Sequence, residues 1–515
     1  MKSLFPKTAL SFLVLLIALC RSFAAEQQAA THLTSQPPAI DANRPETKTP
    51  ADRQKPEEQP TIQPPVAPPN IVAKIGDYVI TREELKQRLI MELRPYEYAQ
   101  YNLIVPPPEA KTVLMKMLAE KAMVMDGRRQ NFIEDPAIRD AVKQFKDRNL
   151  TKLLLQKHLQ GKLVVTDSEI EEKVKTDPKL DRAQAKAMLE SAKANKLLEQ
   201  YYSDVYTKFH VQKLKDNFDK AAQIHGRLLN YPKVPRNVGF IRNSQIDTDL
   251  TPEEKDMVLA TYDYGKLTLK DWFNALCEMI PPRRPANLNT PEGVERLLDV
   301  ALRMPLFVSE AKLLGLDKDE NLAKQIKQLE DLHLLNKVMT EKFKDINEPT
   351  GEQIIDYFNK NKEVFIADRS LKLDQIWCQD LKTARKAKAE LDGGKDSESV
   401  RQLYSLEKKG GPFITYPGSE GIFFKDLWKG DPNQLIGPVK GFYSDGVKWR
   451  IVKILEKNPG SVKEYSADMK DRVKWKMVSE QKNALLEKYG KELLEKYSHE
   501  VYADKISDID PLNIP

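Results

Sequence analysis

Short runs of alternating apolar and polar residues, each followed by an amphipathic stretch, set the pattern of this chain from residue 71 onward. Ile71-Val72-Ala73-Lys74-Ile75 and Tyr78-Val79-Ile80-Thr81 read as two strands joined at Gly76-Asp77, a dipeptide suited to a tight hairpin turn. Thr81 then stands as the N-cap of a helix, with Glu84 at capping-box spacing. The same order returns at Val258-Leu259-Ala260-Thr261-Tyr262, followed by Gly265-Lys266-Leu267-Thr268 and a helix from 269 to about 279, with Asp271 three residues after Thr268.

The stretches C-terminal to the two hairpins also run in parallel. A Pro-containing loop (105–108; 281–285) precedes a helix with apolar residues at helical spacing: Val113, Leu114, Leu118 and Val124 in one, Leu297, Leu298, Ala301 and Phe307 in the other. A more charged helix comes next (135–159; 318–343), then a Thr-led helix start at Thr166 and at Thr350. Each series closes on a Leu/Tyr-rich amphipathic helix, through Leu197, Leu198, Tyr201 and Tyr202 or through Leu485, Leu486 and Tyr489. The pattern predicts an internal duplication, in which only the second copy carries a long β-patterned insert before its closing helix.

That insert, 366–459, opens on an alternating strand at 370–377 and a helix at 381–391 ending in Gly393-Gly394. A helix at 399–405 and Lys409-Gly410-Gly411-Pro412-Phe413 come next, then Leu435-Ile436-Gly437-Pro438-Val439 and a strand at 446–454. These motifs, in this order, resemble the parvulin-type (PpiC-type) peptidyl-prolyl isomerase domain. The hairpin leading into a helical core resembles the N-terminal chaperone domain of the SurA, PrsA and PpiD-type exported foldases, into which a parvulin domain is spliced before a final helix.

The fold class implied is α+β multidomain: two mainly helical chaperone-like modules, the second with an inserted α/β parvulin-like domain and a long C-terminal helix. The expected boundaries are a signal peptide at 1–24, a Pro-rich tether at 25–69, a first module at 70–214 and a connector at 215–251. A second module at 252–365, the parvulin-like domain at 366–459 and a helix at 460–515 that packs back on the second module complete the chain.

Composition bears on location and partners. Lys2 and Lys7 precede an apolar run from Ala9 to Cys20, with Ser22 and Ala24 as small residues before a cleavage point, so the first residues read as an export signal. The run is shorter than the roughly 20 residues a membrane span needs. An uncleaved anchor and a lipid on Cys20 stay open as alternatives. Removing Lys2, Lys7 and Arg21 leaves 79 basic against 76 acidic residues, a balance that excludes a nucleic-acid footprint. Residues 26–70 are rich in Pro, Gln, Thr and charge and cannot bury enough apolar area to order, so they are expected to act as an extended tether. Export is therefore expected, and the resemblance implies the periplasm. Cys277 and Cys378 are expected as buried small hydrophobes.

The chemistry of the insert departs from its family. Parvulins use two histidines in the floor of a proline pocket, yet residues 367–458 contain none. The resemblance sets Gln375 at the first histidine position and Arg450 at the second. Gln375 has no titratable proton, and Arg450 is a fixed cation with donors only, so neither copies a neutral imidazole. The plain alternative for the pair is a structural amide and a surface arginine. Asp374 lies one residue off that register and faces the other side unless the strand slips. Phe413, Phe423, Phe424, Leu427 and Trp428 are candidates for lining a groove that holds a Pro-containing or aromatic segment, with core packing as the alternative. Met115, Met117, Met123 and Met125 are candidate adaptable client contacts, again with core filling as the alternative. No cofactor or metal is expected, since the six histidines are scattered singly.

Three readings stay open. One is an exported chaperone or foldase that binds unfolded or Pro-containing exported polypeptides with weak or absent isomerase activity. The others are an active peptidyl-prolyl cis-trans isomerase and a non-enzymatic envelope adaptor, which meets the membrane only through an anchor or an envelope partner.

Overall fold

The computed structural model describes residues 70–95, 106–230, 240–462 and 464–514. The expected signal at 1–24 and tether at 25–69 lie outside these residues, as does part of the expected connector. Twelve strands are present among the described residues. The first five are β1 (Ile71–Ile75), β2 (Tyr78–Thr81), β3 (Gln212–Lys213), β4 (Val258–Tyr262) and β5 (Gly265–Thr268). Then come β6 (Ile366–Ala367), β7 (Ser370–Cys378), β8 (Phe413–Thr415) and β9 (Leu435–Tyr443). The last three are β10 (Gly446–Asn458), β11 (Ser461–Val462) and β12 (His499–Val501).

Local signals operate as the sequence predicts. Gly76 takes φ +50° at the first hairpin turn. The Glu84 amide donates to Thr81 Oγ1 at 3.2 Å and the Thr81 amide to Glu84 Oε2 at 2.8 Å, closing the capping box. Thr268 and Asp271 repeat it at 3.3 and 2.9 Å. Thr166 and Thr350 cap their helices in the same way.

The chain divides into two compact units, one of residues 134–332 and one of residues 70–133 with 333–514. In the first, β3 pairs with β4 (Gln212↔Thr261, Lys213↔Ala260) and β4 with β5. The helix Leu269–Glu278 buries Trp272 and Phe273, and Trp272 Nε1 donates to the Val294 carbonyl at 3.1 Å. The helix Arg303–Leu313 packs on Pro136–Leu159 and Arg182–Lys208, so residues from both halves of the sequence share one core.

In the second unit β1 lies between β2 and β12, with Ala73 opposite Val501 and Ile75 opposite His499. The helix Ala110–Arg129 packs along the long helix Ala467–Lys496. Gly490 permits this approach: a Cβ there would lie 2.9 Å from Ala119 Cβ. Beside that crossing Asp126 is 2 % exposed and accepts from Tyr489 Oη at 2.5 Å and from Gln130 Nε2 at 2.5 Å.

Three expectations change here. The compact units do not follow the contiguous modules drawn at 70–214 and 252–365: Pro136–Leu159 packs with Arg303–Leu313 in one unit, and Ala110–Arg129 with Ala467–Lys496 in the other. The last helix meets Gly351–Lys360 of the expected second module but packs along Ala110–Arg129 of the first as well. Met123 is buried, and Met115, Met117 and Met125 pack partly buried against the same core, which assigns these methionines to core filling.

The insert folds within the second unit as an antiparallel sheet of order β8-β7-β10-β9. Ile376, Cys378 and Ile451 pack on one side against Ala384, Ala387 and Val400 of the helices Leu381–Asp392 and Ser397–Tyr404. On the other side Leu371, Leu373, Val452 and Ile454 form a second small core with Phe424 and Leu427. The β6–β11 pair closes the insert where the chain enters and leaves it. Among the described residues no helix is long and apolar enough to cross a membrane.

Candidate functional site

Strand register builds the site. Trp377 of β7 lies opposite Arg450 of β10, and Gln375 opposite Val452. Alternation therefore sets Leu371, Leu373, Gln375 and Trp377 on the face that also carries Arg450, Val452 and Ile454. At the leucine end this face is sealed by the small core. At the Gln375 end it opens into a cavity of about 420 Å³.

The floor of the cavity is an ionic network. Arg450 is 1 % exposed; its Nη1 donates to Gln375 Oε1 at 2.8 Å and its Nη2 to Glu420 Oε2 at 2.6 Å. Glu420, 7 % exposed, also accepts from Thr415 Oγ1 at 2.9 Å. The guanidinium lies over the Trp377 ring at 4.7 Å and against Gly441, where a Cβ would fall 2.7 Å from Arg450 Cζ and 2.5 Å from the Trp377 ring. Arg450 is thus a buried cation held by a carboxylate, an amide, a ring and a glycine gap, and its reading as a surface arginine is corrected.

Gln375 and Arg450, the residues expected at the two histidine positions, are therefore in direct contact and both line the cavity. Of the candidate groove residues only Phe413 borders it. Phe424 and Leu427 belong to the adjoining core, Phe423 is buried, and Trp428 stacks on Phe424 with centroids 5.5 Å apart. The walls come instead from Trp377, Phe442 and Tyr443, with Ser419 and Glu407 nearby. Burial pushes the Tyr443 phenol up, with the Glu407 carboxylate adding to it. Arg94 lies over the outer side of Phe442 at 5.5 Å and reaches the Ser444 carbonyl at 3.5 Å.

Asp374 stays on the opposite face with no slip of register. It accepts from Arg401 Nη2 at 2.6 Å, while Arg401 Nη1 donates to the Gln375 carbonyl at 2.6 Å. Arg401 is 3 % exposed and fits because position 410 is glycine: a Cβ there would lie 2.4 Å from Nη1. Gly410, the first glycine of the Gly-Gly motif, thus makes room for a clamp behind the strand that carries Gln375.

Sequence reasoning missed Glu420, Thr415, Phe442, Tyr443 and Arg401. One signal could have found Glu420. An arginine on the inner face of a strand needs a buried carboxylate, and Glu420 is the acid between Pro417 and the apolar run 422–424.

Chemically the lining offers an aromatic-walled recess over a fixed ion pair. It contains no imidazole, and its guanidinium is engaged with Glu420 and Gln375. Elsewhere, a cavity of about 680 Å³ in the unit 134–332 is lined by Leu153, Leu159, Leu163 and Leu316 together with Gln156, Lys157, Gln160 and Asp319. In the same unit burial, and to a lesser extent Arg284, lowers the pKa of His225 to about 4, so that it stays neutral. Cys277 and Cys378 are free thiols, half-buried and buried, and burial raises Cys378 to about 11.

No family model matches the chain, and no curated protein does. Solved structures similar to it include one from a study of PEB4 and Cj1289, described as structurally related SurA-like chaperones of the human pathogen Campylobacter jejuni. It shares 14 % identity over 41 % of this chain and 86 % of its own, with a TM-score of 0.21. Another is the peptidylprolyl isomerase PrsA of Bacillus anthracis, at 18 % identity over 36 % of this chain and 79 % of that one, TM-score 0.20. PrsA of Bacillus subtilis matches at 18 % identity over 47 % and 93 %, TM-score 0.15. The chain is similar in part to SurA-like chaperones and PrsA foldases, the groups its hairpin and insert motifs resemble.

Proposed function

We propose that this chain is an exported chaperone or foldase, acting in the periplasm, that binds unfolded client polypeptides and catalyses prolyl isomerisation weakly or not at all. The observation that carries this reading is the Arg450–Glu420 pair under the aromatic walls of the insert. Rotation about an X-Pro bond must pass a barrier of roughly 18–20 kcal/mol set by amide resonance. An enzyme lowers it with groups free to favour the twisted amide. Here Glu420, the Gln375 side-chain oxygen and both terminal nitrogens of the Arg450 guanidinium are engaged with one another. The recess keeps its apolar surface, so a Pro-containing or aromatic segment is held without being turned over quickly.

The two hairpin-led series are read as copies of one helical module that have exchanged closing strands, β3 serving β4 and β12 serving β1. Their part is to present further client-binding surface, with residues 25–69 as a tether.

Two assays test the reading. Purified protein is expected to suppress aggregation of a chemically denatured client; no suppression at molar excess would sink the chaperone role. A protease-coupled assay on a proline tetrapeptide is expected to show turnover near background. Rapid turnover lost on Gln375→Ala would instead establish an active isomerase.

A further inference from the structure

β8 is an edge strand. One side of its backbone pairs with β7, Thr415 opposite Leu371 and Phe413 opposite Leu373, and among the described residues no strand lies on its other side. Soluble proteins usually blunt such edges with charged side chains, proline or a covering segment. β8 is short and has a proline on each flank, but its own side chains leave the edge apolar. Phe413, Ile414 and Tyr416 are 38, 56 and 49 % exposed, and no charged residue occurs from 413 to 416. Pro412 and Pro417 bound the strand, so the open edge is about three residues long.

A second observation ties this edge to the cavity. Phe413 and Thr415 share a face by strand alternation, and both line the recess that holds Arg450. A chain laid along the open side of β8 would therefore direct every second side chain toward that recess and the alternate ones away from it. The backbone donors and acceptors of the edge complement those of an extended polypeptide, and the exposed apolar side chains complement its apolar residues.

We infer that client polypeptide binds by strand addition to the open edge of β8, with one apolar, aromatic or prolyl side chain entering the recess walled by Trp377, Phe442 and Tyr443. The inference rests on the client-binding reading above and specifies its ligand: an extended segment of about three paired residues whose amides bond at every second position. Along a strand, residues whose side chains share a face also share a hydrogen-bonding direction. Amides of one alternate set thus bond to β8, and those of the other set point to solvent. Proline, which lacks the N–H, belongs to the second set.

Fluorescence anisotropy with the full chain tests this, using a labelled eight-residue peptide of alternating Val and Ala around a central Phe-Pro. Single N-methyl groups are placed at successive non-prolyl amides. Strand addition predicts a period of two: affinity falls roughly threefold to tenfold at alternate positions and hardly changes between them. Equal effects at all positions, or none at any, would overturn strand addition while leaving recess binding intact. No binding of the unmethylated peptide would overturn the client-binding reading itself. Ile414→Lys, a change at an exposed position, is expected to weaken the unmethylated peptide, and unchanged affinity would count against the edge.

Discussion

Replacing Glu420 by Gln leaves the shape of the recess floor nearly unchanged and removes one charge from a buried pair. The Arg450 and Glu420 side chains are 1 and 9 % exposed and 2.6 Å apart, which places the pair among buried rather than surface ion pairs. Gln375 and the Trp377 ring remain as partners, both uncharged. Breaking a buried pair from one side costs about 3–5 kcal/mol, whereas an exposed pair is worth only about 0.2–1 kcal/mol. The two regimes are far enough apart for one experiment to decide. The insert has its own small cores, so hydrogen exchange of peptides from β7 and β10 reads its local stability more directly than a global melt does. Glu420→Gln is expected to speed exchange there by about two orders of magnitude or more, at about 1.36 kcal/mol per tenfold. The double variant Arg450→Met with Glu420→Gln removes both charges and should recover most of the protection, because it leaves no uncompensated charge in the interior. An acceleration below about fivefold in the single variant, or no recovery in the double one, would refute the buried-pair account.

The Gly441 gap leads to a related expectation: Gly441→Ala drives a methyl into Trp377 and Arg450, should cost about 1–3 kcal/mol, and should weaken peptide binding measured by anisotropy. Deleting residues 499–515 removes β12, the Tyr502 amide bond to the Val72 carbonyl at 2.9 Å and the Arg82–Asp508 bridge at 2.8 Å. Exchange of β1 amides should then rise while the β4–β5 hairpin stays protected; joint loss would show that strand partnership is not what holds β1. At Asp126 burial opposes the charge, but hydrogen bonds from Tyr489 and Gln130 and the Lys496 ammonium outweigh it and hold the carboxyl below its usual range. A depressed folded pKa stabilises above the ordinary carboxylate pKa near 4 and loses that contribution as pH falls through the lower value. The stability gap between wild type and Asp126→Asn in denaturant titrations should therefore be full at about pH 6 and shrink below about pH 4. A gap independent of pH would contradict this.

Local order was legible because its signals are local. Thr81 with Glu84, Thr268 with Asp271, the Gly76 turn and the alternation of β7 and β10 each act within a few residues, and each element formed close to where these signals placed it. That Gln375 and Arg450 share one face of the sheet follows from the alternation of β7 and β10 in the same way. The groove residues were not legible. Phe423, Phe424 and Leu427 carry the same apolar signal whether they line a recess or fill a core, and only packing distinguishes the two.

By itself, then, the sequence determined the local elements of this protein and the absence of histidine from residues 367–458. Tertiary structure decided two things. It chose which strand closes which hairpin, because β3 and β12 are only two and three residues long and carry too little pattern to name a partner; the long helices beside them settle the choice by burying their apolar faces. It also made Arg450 an interior residue. That burial depends on a carboxylate thirty positions away, a ring across the strand and a glycine gap opposite, three contacts that exist only once the sheet has folded.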